Sequence, residues 1–121
     1  MKLNVGILGG GSWGTTVASL TAKNNDTILW ARNEKTVREI NEEHTNSKYL
    51  PSAKLNKNLK ASSSIEETVK NADVIVMGIP SQNFREVLRV AKPHIRPWVP
   101  IVSLSKGLEL DTKMRMTEII A

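Results

Sequence analysis

Val5-Gly6-Ile7-Leu8-Gly9-Gly10-Gly11-Ser12-Trp13-Gly14 is the stretch from which the rest of the chain is read. It opens as a short, continuous apolar run closed by glycines, the pattern of a strand buried on both faces of a parallel sheet. Gly9, Gly11 and Gly14 then fall at G-x-G-x-x-G spacing, ahead of a helical pattern carrying Val17, Ala18, Leu20 and Ala22. Each glycine has its own physical reason: Gly9 permits the tight turn, Gly11 lets the backbone approach a pyrophosphate, and Gly14 lets the helix pack closely on the strand. A helix opening on such a turn presents free N–H groups and a positive dipole end to phosphates. The bland alternative is a glycine-rich turn that only connects two elements. Ser12 and Trp13 lie in the turn, so their backbone and the Ser12 hydroxyl can face the phosphates, while Trp13 can equally be a packing residue.

Outward from this stretch the elements alternate. Asn24-Asn25-Asp26 ends the first helical pattern with turn chemistry, and Thr27-Ile28-Leu29-Trp30-Ala31 is a β-rich second strand. Val37 and Ile40 among charged residues predict an exposed amphipathic helix over 34–43. Periodicity is lost over 44–58, where Asn46, Pro51, Ser52 and several lysines give a long loop, of a kind that is often functional. A short strand is expected at 59–62, and Ser64 and Glu67 have capping-box spacing for a brief helix over 65–71. Residues 73–79 make the strongest strand pattern; Asp73 opens it with no catalytic role, and Pro80 ends it. Phe84, Val87, Leu88 and Ala91 share one helical face before Pro93, residues 100–104 form another buried strand, and 112–121 begin a last helix. This alternation predicts an α/β fold: a Rossmann-type doubly wound parallel sheet in three αβα layers, as a single domain over residues 1–121.

Composition narrows the function classes. The 40% hydrophobic and 24% charged content is that of an ordinary globular domain, and no apolar run approaches the roughly 20 residues that span a bilayer. The N-terminus lacks a signal-peptide pattern, which makes the cytoplasm the default location. Without cysteine there is no disulfide, thiolate nucleophile or cysteine metal site, and His44 and His94 lie too far apart in unlike contexts to suggest a metal. The net charge of +5 invites a polyanion, but the basic residues are scattered, aromatics are few and no nucleic-acid motif appears, so nucleic acid is not expected. A phosphate-bearing cofactor and substrate use the same positive field.

Three further positions carry chemistry. The second strand ends Trp30-Ala31-Arg32-Asn33, with no carboxylate before Glu34 to hold a ribose 2′-hydroxyl. Arg32 can instead pair with a 2′-phosphate or lie against an adenine plane, which predicts that NADP is accepted alongside NAD. Its alternative is a solvated arginine at a strand end. Ile79-Pro80-Ser81 and Leu104-Ser105-Lys106-Gly107-Leu108-Glu109 both fall at carboxyl ends of strands, where open α/β sheets bind ligands. Pro80 there borders the cofactor, and Lys106 can reach a phosphate or carbonyl oxygen as a compact point charge. A surface lysine in a turn is the competing reading.

Taken together, Gly9-Gly10-Gly11-Ser12-Trp13-Gly14-Thr15, Trp30-Ala31-Arg32, Asn46 through Tyr49-Leu50-Pro51, Ala72-Asp73 through Ile79-Pro80-Ser81, and Ser105-Lys106-Gly107-Leu108-Glu109 resemble the bacterial NAD(P)-dependent glycerol-3-phosphate dehydrogenases. The resemblance runs over essentially the whole chain. It implies hydride transfer between NAD(P)H and dihydroxyacetone phosphate or sn-glycerol 3-phosphate, in the cytoplasm, for phospholipid synthesis. Cofactor contacts would fall on Ser12, Trp13, Arg32 and Tyr49, and Lys106 would touch both the nicotinamide side and the substrate. The family continues into a helical domain that supplies a catalytic lysine and most of the substrate phosphate site. The resemblance therefore implies an N-terminal cofactor domain, inactive alone, from a protein that is a homodimer at full length. Competing readings are a stand-alone module that senses NAD(P)(H) and a related dehydrogenase with another substrate.

Overall fold

The computed structural model describes residues 2–79 and 81–103, leaving aside the side chains of Ser81 and Gln82. The opening apolar run is strand β1 (Asn4–Leu8), followed by helix α1 (Ser12–Thr21), strand β2 (Asp26–Trp30) and helix α2 (Glu34–Glu43). Strand β3 (Lys60–Ser62), helix α3 (Ile65–Val69), strand β4 (Val74–Met77), helix α4 (Ser81–Ala91) and strand β5 (Ile101–Ser103) complete the described elements, with a 3₁₀ turn at Lys92–His94. All pairings are parallel and the strand order is β3-β2-β1-β4-β5. The chain builds outward from β1 to β3, then crosses back to place β4 on the other side of β1. That reversal leaves a crevice at the carboxyl ends of β1 and β4, the position where doubly wound sheets bind ligands. The helix expected over 112–121 and the end of the 100–104 strand lie outside the described residues.

Strand alternation sorts the core into two layers. Val5 and Ile7 of β1, Leu29 and Val76 pack with Ala18, Ala22 and Ile40 under α1 and α2. Leu8, Ile75 and Met77 pack on the opposite face with Val69, Phe84, Val87, Leu88 and Ala91 of α3 and α4. Ile7, Leu8, Leu29, Ile75 and Met77 are fully enclosed, and burying each such side chain stabilises the fold by about 1.5–3 kcal/mol. Gly6 is where the sheet admits α3: a Cβ there would stand 2.5 Å from the Thr68 carbonyl oxygen.

The local signals act through identifiable bonds. Asn33 caps α2 by accepting from the Lys35 N–H at 2.8 Å, and His44 ends it in a left-handed conformation with φ 58°. At α3, Ser64 Oγ accepts from the Glu67 N–H at 3.2 Å, but the return bond of a capping box is rerouted. The Ser62 hydroxyl donates to the Glu67 carboxylate at 3.1 Å and accepts the Ser64 N–H at 3.0 Å, so β3 takes part in the cap. The strand expected over 73–79 is shorter at both ends. Asp73 departs from the ladder because its carboxylate accepts the Asn4 N–H at 2.8 Å and pairs with Arg96 at 2.8 Å. Expected to open the strand, it lies just outside it and instead fastens the starts of β1 and β4 to the segment leading into β5.

Candidate functional site

The glycine turn is shaped by backbone-to-backbone contact. Gly9 has φ 129°, a conformation that L side chains rarely adopt, and a Cβ there would lie 2.6 Å from the Gly78 carbonyl oxygen. A Cβ on Gly14 would overlap the Gly9 carbonyl oxygen, so α1 rests directly on the turn. Gly11 differs. It is the N-cap of α1 with φ −76° and ψ −173°, open to any residue, and a Cβ there would meet no atom of the described residues within 4 Å. Nothing among the described residues requires glycine at this position. The space a side chain would fill is the space in front of the helix, where a phosphate has to come close.

That space belongs to a cleft of about 600 Å³ lined by the glycine turn, Trp30 and Arg32 from the end of β2, Asn33 and Thr36 from the start of α2, Lys48 and Tyr49, and Gly78 and Ile79 after β4. Its floor is held by ladder bonds that outlast the strands: the Gly9 N–H donates to Trp30 O at 3.1 Å and the Gly78 N–H to Leu8 O at 2.8 Å. The N-terminus of α1 has no side-chain cap and no acidic residue in its first turn, so its dipole and N–H groups favour an anion. The Arg32 guanidinium lies 5.7 Å from the Trp30 ring centroid, and the Lys48 ammonium lies 5.4 Å from that of Tyr49. Two cations therefore stand on aromatic faces along one cleft, Arg32 just past the end of β2, where no carboxylate occurs before Glu34, and Lys48 in the loop after α2.

Of the residues singled out in the sequence, Gly9, Gly11, Arg32 and Tyr49 come together in this lining, and Gly14 packs beneath it. Ser12 and Trp13 occupy the first turn of α1 beside the cleft, outside its lining, with Trp13 half exposed. Pro80 and Lys106 lie outside the described residues. The lining also includes Trp30, Thr36, Lys48, Gly78 and Asn83, which the sequence reading did not single out as contacts. For Gly78 a signal existed, a glycine near the carboxyl end of the strongest strand pattern; in the structure it faces Gly14, where a Cβ would come within 3.1 Å of the Gly14 Cα.

The loop behind the cleft is anchored by Glu39 of α2. Its carboxylate accepts from Thr45 Oγ1 at 2.7 Å, the Ser47 N–H at 2.8 Å and Ser47 Oγ at 3.1 Å. The Thr45 bond first, and the Ser47 N–H next, hold the acid below its ordinary value of 4.5. Between these two anchored residues sits Asn46, fully buried although its neighbours in the loop are polar. No group of three or more His, Asp or Glu side chains suited to a metal occurs among the described residues.

Sheet order, crevice and glycine turn define a Rossmann-type domain of the class that carries dinucleotides. A family model described as NAD-dependent glycerol-3-phosphate dehydrogenase N-terminus matches residues 4–121, and the chain belongs to that family. It is 56% identical over 120 residues to glycerol-3-phosphate dehydrogenase [NAD(P)+] 2 of Sphingopyxis alaskensis, covering 99% of this chain and 36% of that protein. A relative from Mycobacterium avium, glycerol-3-phosphate dehydrogenase [NAD(P)+], is 50% identical over 94% of this chain and 34% of its own length. The solved glycerol-3-phosphate dehydrogenase of Coxiella burnetii superposes with a TM-score of 0.84 at 32% identity, over 99% of this chain and 37% of that one. The chain thus spans about a third of the length of the curated relatives it matches.

Proposed function

We propose that this chain holds the NAD(P)(H) of a glycerol-3-phosphate dehydrogenase, with the pyrophosphate over Gly9–Gly11 and the N-terminus of α1. The observation that carries the reading is the contrast within the glycine turn. Gly9 and Gly14 are required by protein contacts, whereas a Cβ on Gly11 would meet none among the described residues, at a helix start without a side-chain cap. A dinucleotide supplies what that space and those N–H groups fit. When bound, its nicotinamide supplies the hydride exchanged with dihydroxyacetone phosphate or sn-glycerol 3-phosphate.

This chain's residues bind and orient. Gly9, Gly11, Ser12, Trp13 and Gly14 serve the pyrophosphate end, by contact or by packing. Arg32, stacked on Trp30, and Tyr49, beneath Lys48, serve the adenosine end, and the two cations make a 2′-phosphate acceptable. Pro80 borders the nicotinamide end, and Lys106 meets the substrate oxygen. Residues 1–121 act as one cofactor domain. The catalytic lysine and most of the substrate phosphate site are supplied by the part of the relatives' length that this chain does not span. The same reading places the full-length enzyme in the cytoplasm, as a dimer feeding phospholipid synthesis, with no nucleic-acid partner. No helix among the described residues is long and apolar enough to cross a membrane.

Titration of the chain with NADH and NADPH, alongside an assay with dihydroxyacetone phosphate, tests the reading. Binding of both dinucleotides without turnover is expected. Turnover by the chain itself would place the catalytic groups within these residues and overturn the division of labour.

A further inference from the structure

Asn46 sits in the stretch without periodicity, yet it is fully buried and reaches back 36 residues to the glycine turn. Its Nδ2 donates to the Gly10 carbonyl oxygen at 3.0 Å and to Thr15 Oγ1 at 2.9 Å. The Thr15 hydroxyl, itself fully buried, donates to the same carbonyl at 3.3 Å. Two donors therefore pull the Gly10 C=O inward. The amide cannot be flipped without setting its oxygen against that carbonyl, which fixes its orientation. Across a trans peptide the C=O and the next N–H point in opposite directions, and there is no cis peptide bond among the described residues. Holding the Gly10 carbonyl inward thus turns the Gly11 N–H outward, into the space that Gly11 leaves open.

Asn46 also ties in the cleft wall. Its backbone carbonyl accepts from the Tyr49 N–H at 3.2 Å and the Leu50 N–H at 2.8 Å, closing the turn that carries Lys48 and Tyr49. Its Oδ1 is buried with no hydrogen-bond partner among the described residues. A buried acceptor left unpaired costs stability, so the side chain is not there as an optimised core residue.

We propose that Asn46 is a positioning residue for the cofactor: together with Thr15 it locks the Gly10–Gly11 peptide so that the Gly11 N–H donates to the dinucleotide's pyrophosphate, and it couples the Lys48–Tyr49 wall to that peptide. The inference rests on the dinucleotide reading above, and its test separates the two. NAD⁺ is titrated into the ¹⁵N-labelled chain as wild type, Asn46→Ala, Asn46→Asp and Asn41→Ala. Asn41 is the matched control, an amide that joins α2 to Ala61 of β3 at 3.0 and 2.8 Å, away from the glycine turn.

Wild type is expected to bind with a downfield move of the Gly11 amide proton. Asn46→Ala should weaken binding by about tenfold and shrink that move. Asn41→Ala should lose thermal stability while keeping both the affinity and the Gly11 signature. Asn46→Asp preserves shape but presents an acceptor to the Gly10 carbonyl. Its affinity should recover as pH falls and the protonated acid regains a donor, over a range where wild type is flat. Wild-type binding with unchanged affinity and Gly11 shift in both Asn46 variants overturns the role of Asn46 alone. Absence of wild-type binding overturns the dinucleotide reading, and this inference with it.

Discussion

Gly14 rests on Gly9 so closely that no side chain fits between them: a Cβ on Gly14 would overlap the Gly9 carbonyl oxygen. The turn and the first helix are one packed unit. Gly14→Ala is therefore expected to force α1 off the sheet, at a cost of about 1–3 kcal/mol and a fall in Tm of roughly 5–15 °C. Thermal unfolding of the variant measures this, and an unchanged Tm would show that the contact is not close-packed.

Arg32 stands on the Trp30 ring at the cleft edge. A 2′-phosphate would gain a charge-assisted bond from it, so Arg32→Ala should weaken NADPH by about ten- to hundredfold and NADH by much less. Competition titrations compare the two. An equal loss for both dinucleotides would assign Arg32 to the adenine plane instead, and no loss for either would return it to solvent.

Glu39 links stability to pH. Its folded value is lowered, chiefly by the Thr45 bond, so it holds fewer protons in the folded chain than in the unfolded one. Its contribution is present above its ordinary value of 4.5 and is lost as pH falls through the lowered value. Asp73, lowered first by the Asn4 N–H and then by Arg96, acts in the same direction. In Glu39→Gln the drop in Tm on acidification should be shallower than in wild type, while Asp73 keeps its contribution in both proteins. Parallel Tm profiles for the two proteins would remove Glu39 as the anchor of the loop.

Phe84 and Val90 lie on the same helix, α4, but on different faces of it, about 120° apart. Phe84 is 1% exposed and Val90 is 50% exposed. Phe84→Ala should cost about 3–5 kcal/mol, whereas Val90→Ala should stay within about 0.5 kcal/mol. Urea unfolding distinguishes them, and similar costs at both positions would contradict the described packing of α4.

The layers and order of elements were legible because they depend on signals local in sequence. Val5 to Leu8 read as a doubly buried strand, and Phe84, Val87, Leu88 and Ala91 read as one helical face, and both lie in the core. Ser64 was legible as a cap, but the detour through Ser62 was not, because it depends on β3 lying next to α3. The glycine turn was legible position by position: Gly9, read as the tight turn, and Gly14, read as the helix-packing glycine, are the two where a Cβ would collide, and Gly11, read as the point of close approach, meets no described atom within 4 Å. Asn46 was the least legible. Its partners Gly10 and Thr15 lie more than 30 residues away, and no periodicity marks a buried amide inside a polar loop. The signals available were its place at the head of the segment Asn46 through Tyr49-Leu50-Pro51 and its position between two hydroxyl residues, Thr45 and Ser47, that a helix carboxylate could hold.

The central claim, that Gly11 is kept open for a dinucleotide, is tested most directly by titrating NADH into wild type and Gly11→Ala and measuring the Tm of both without ligand. The backbone there accepts alanine and no atom of the described residues obstructs its Cβ, so Tm should correspond to a change of no more than about 1 kcal/mol, the difference between glycine and alanine at an N-cap. NADH affinity should nevertheless fall by tenfold or more, about 1.4 kcal/mol or above. Unchanged affinity in a stably folded Gly11→Ala would contradict the claim.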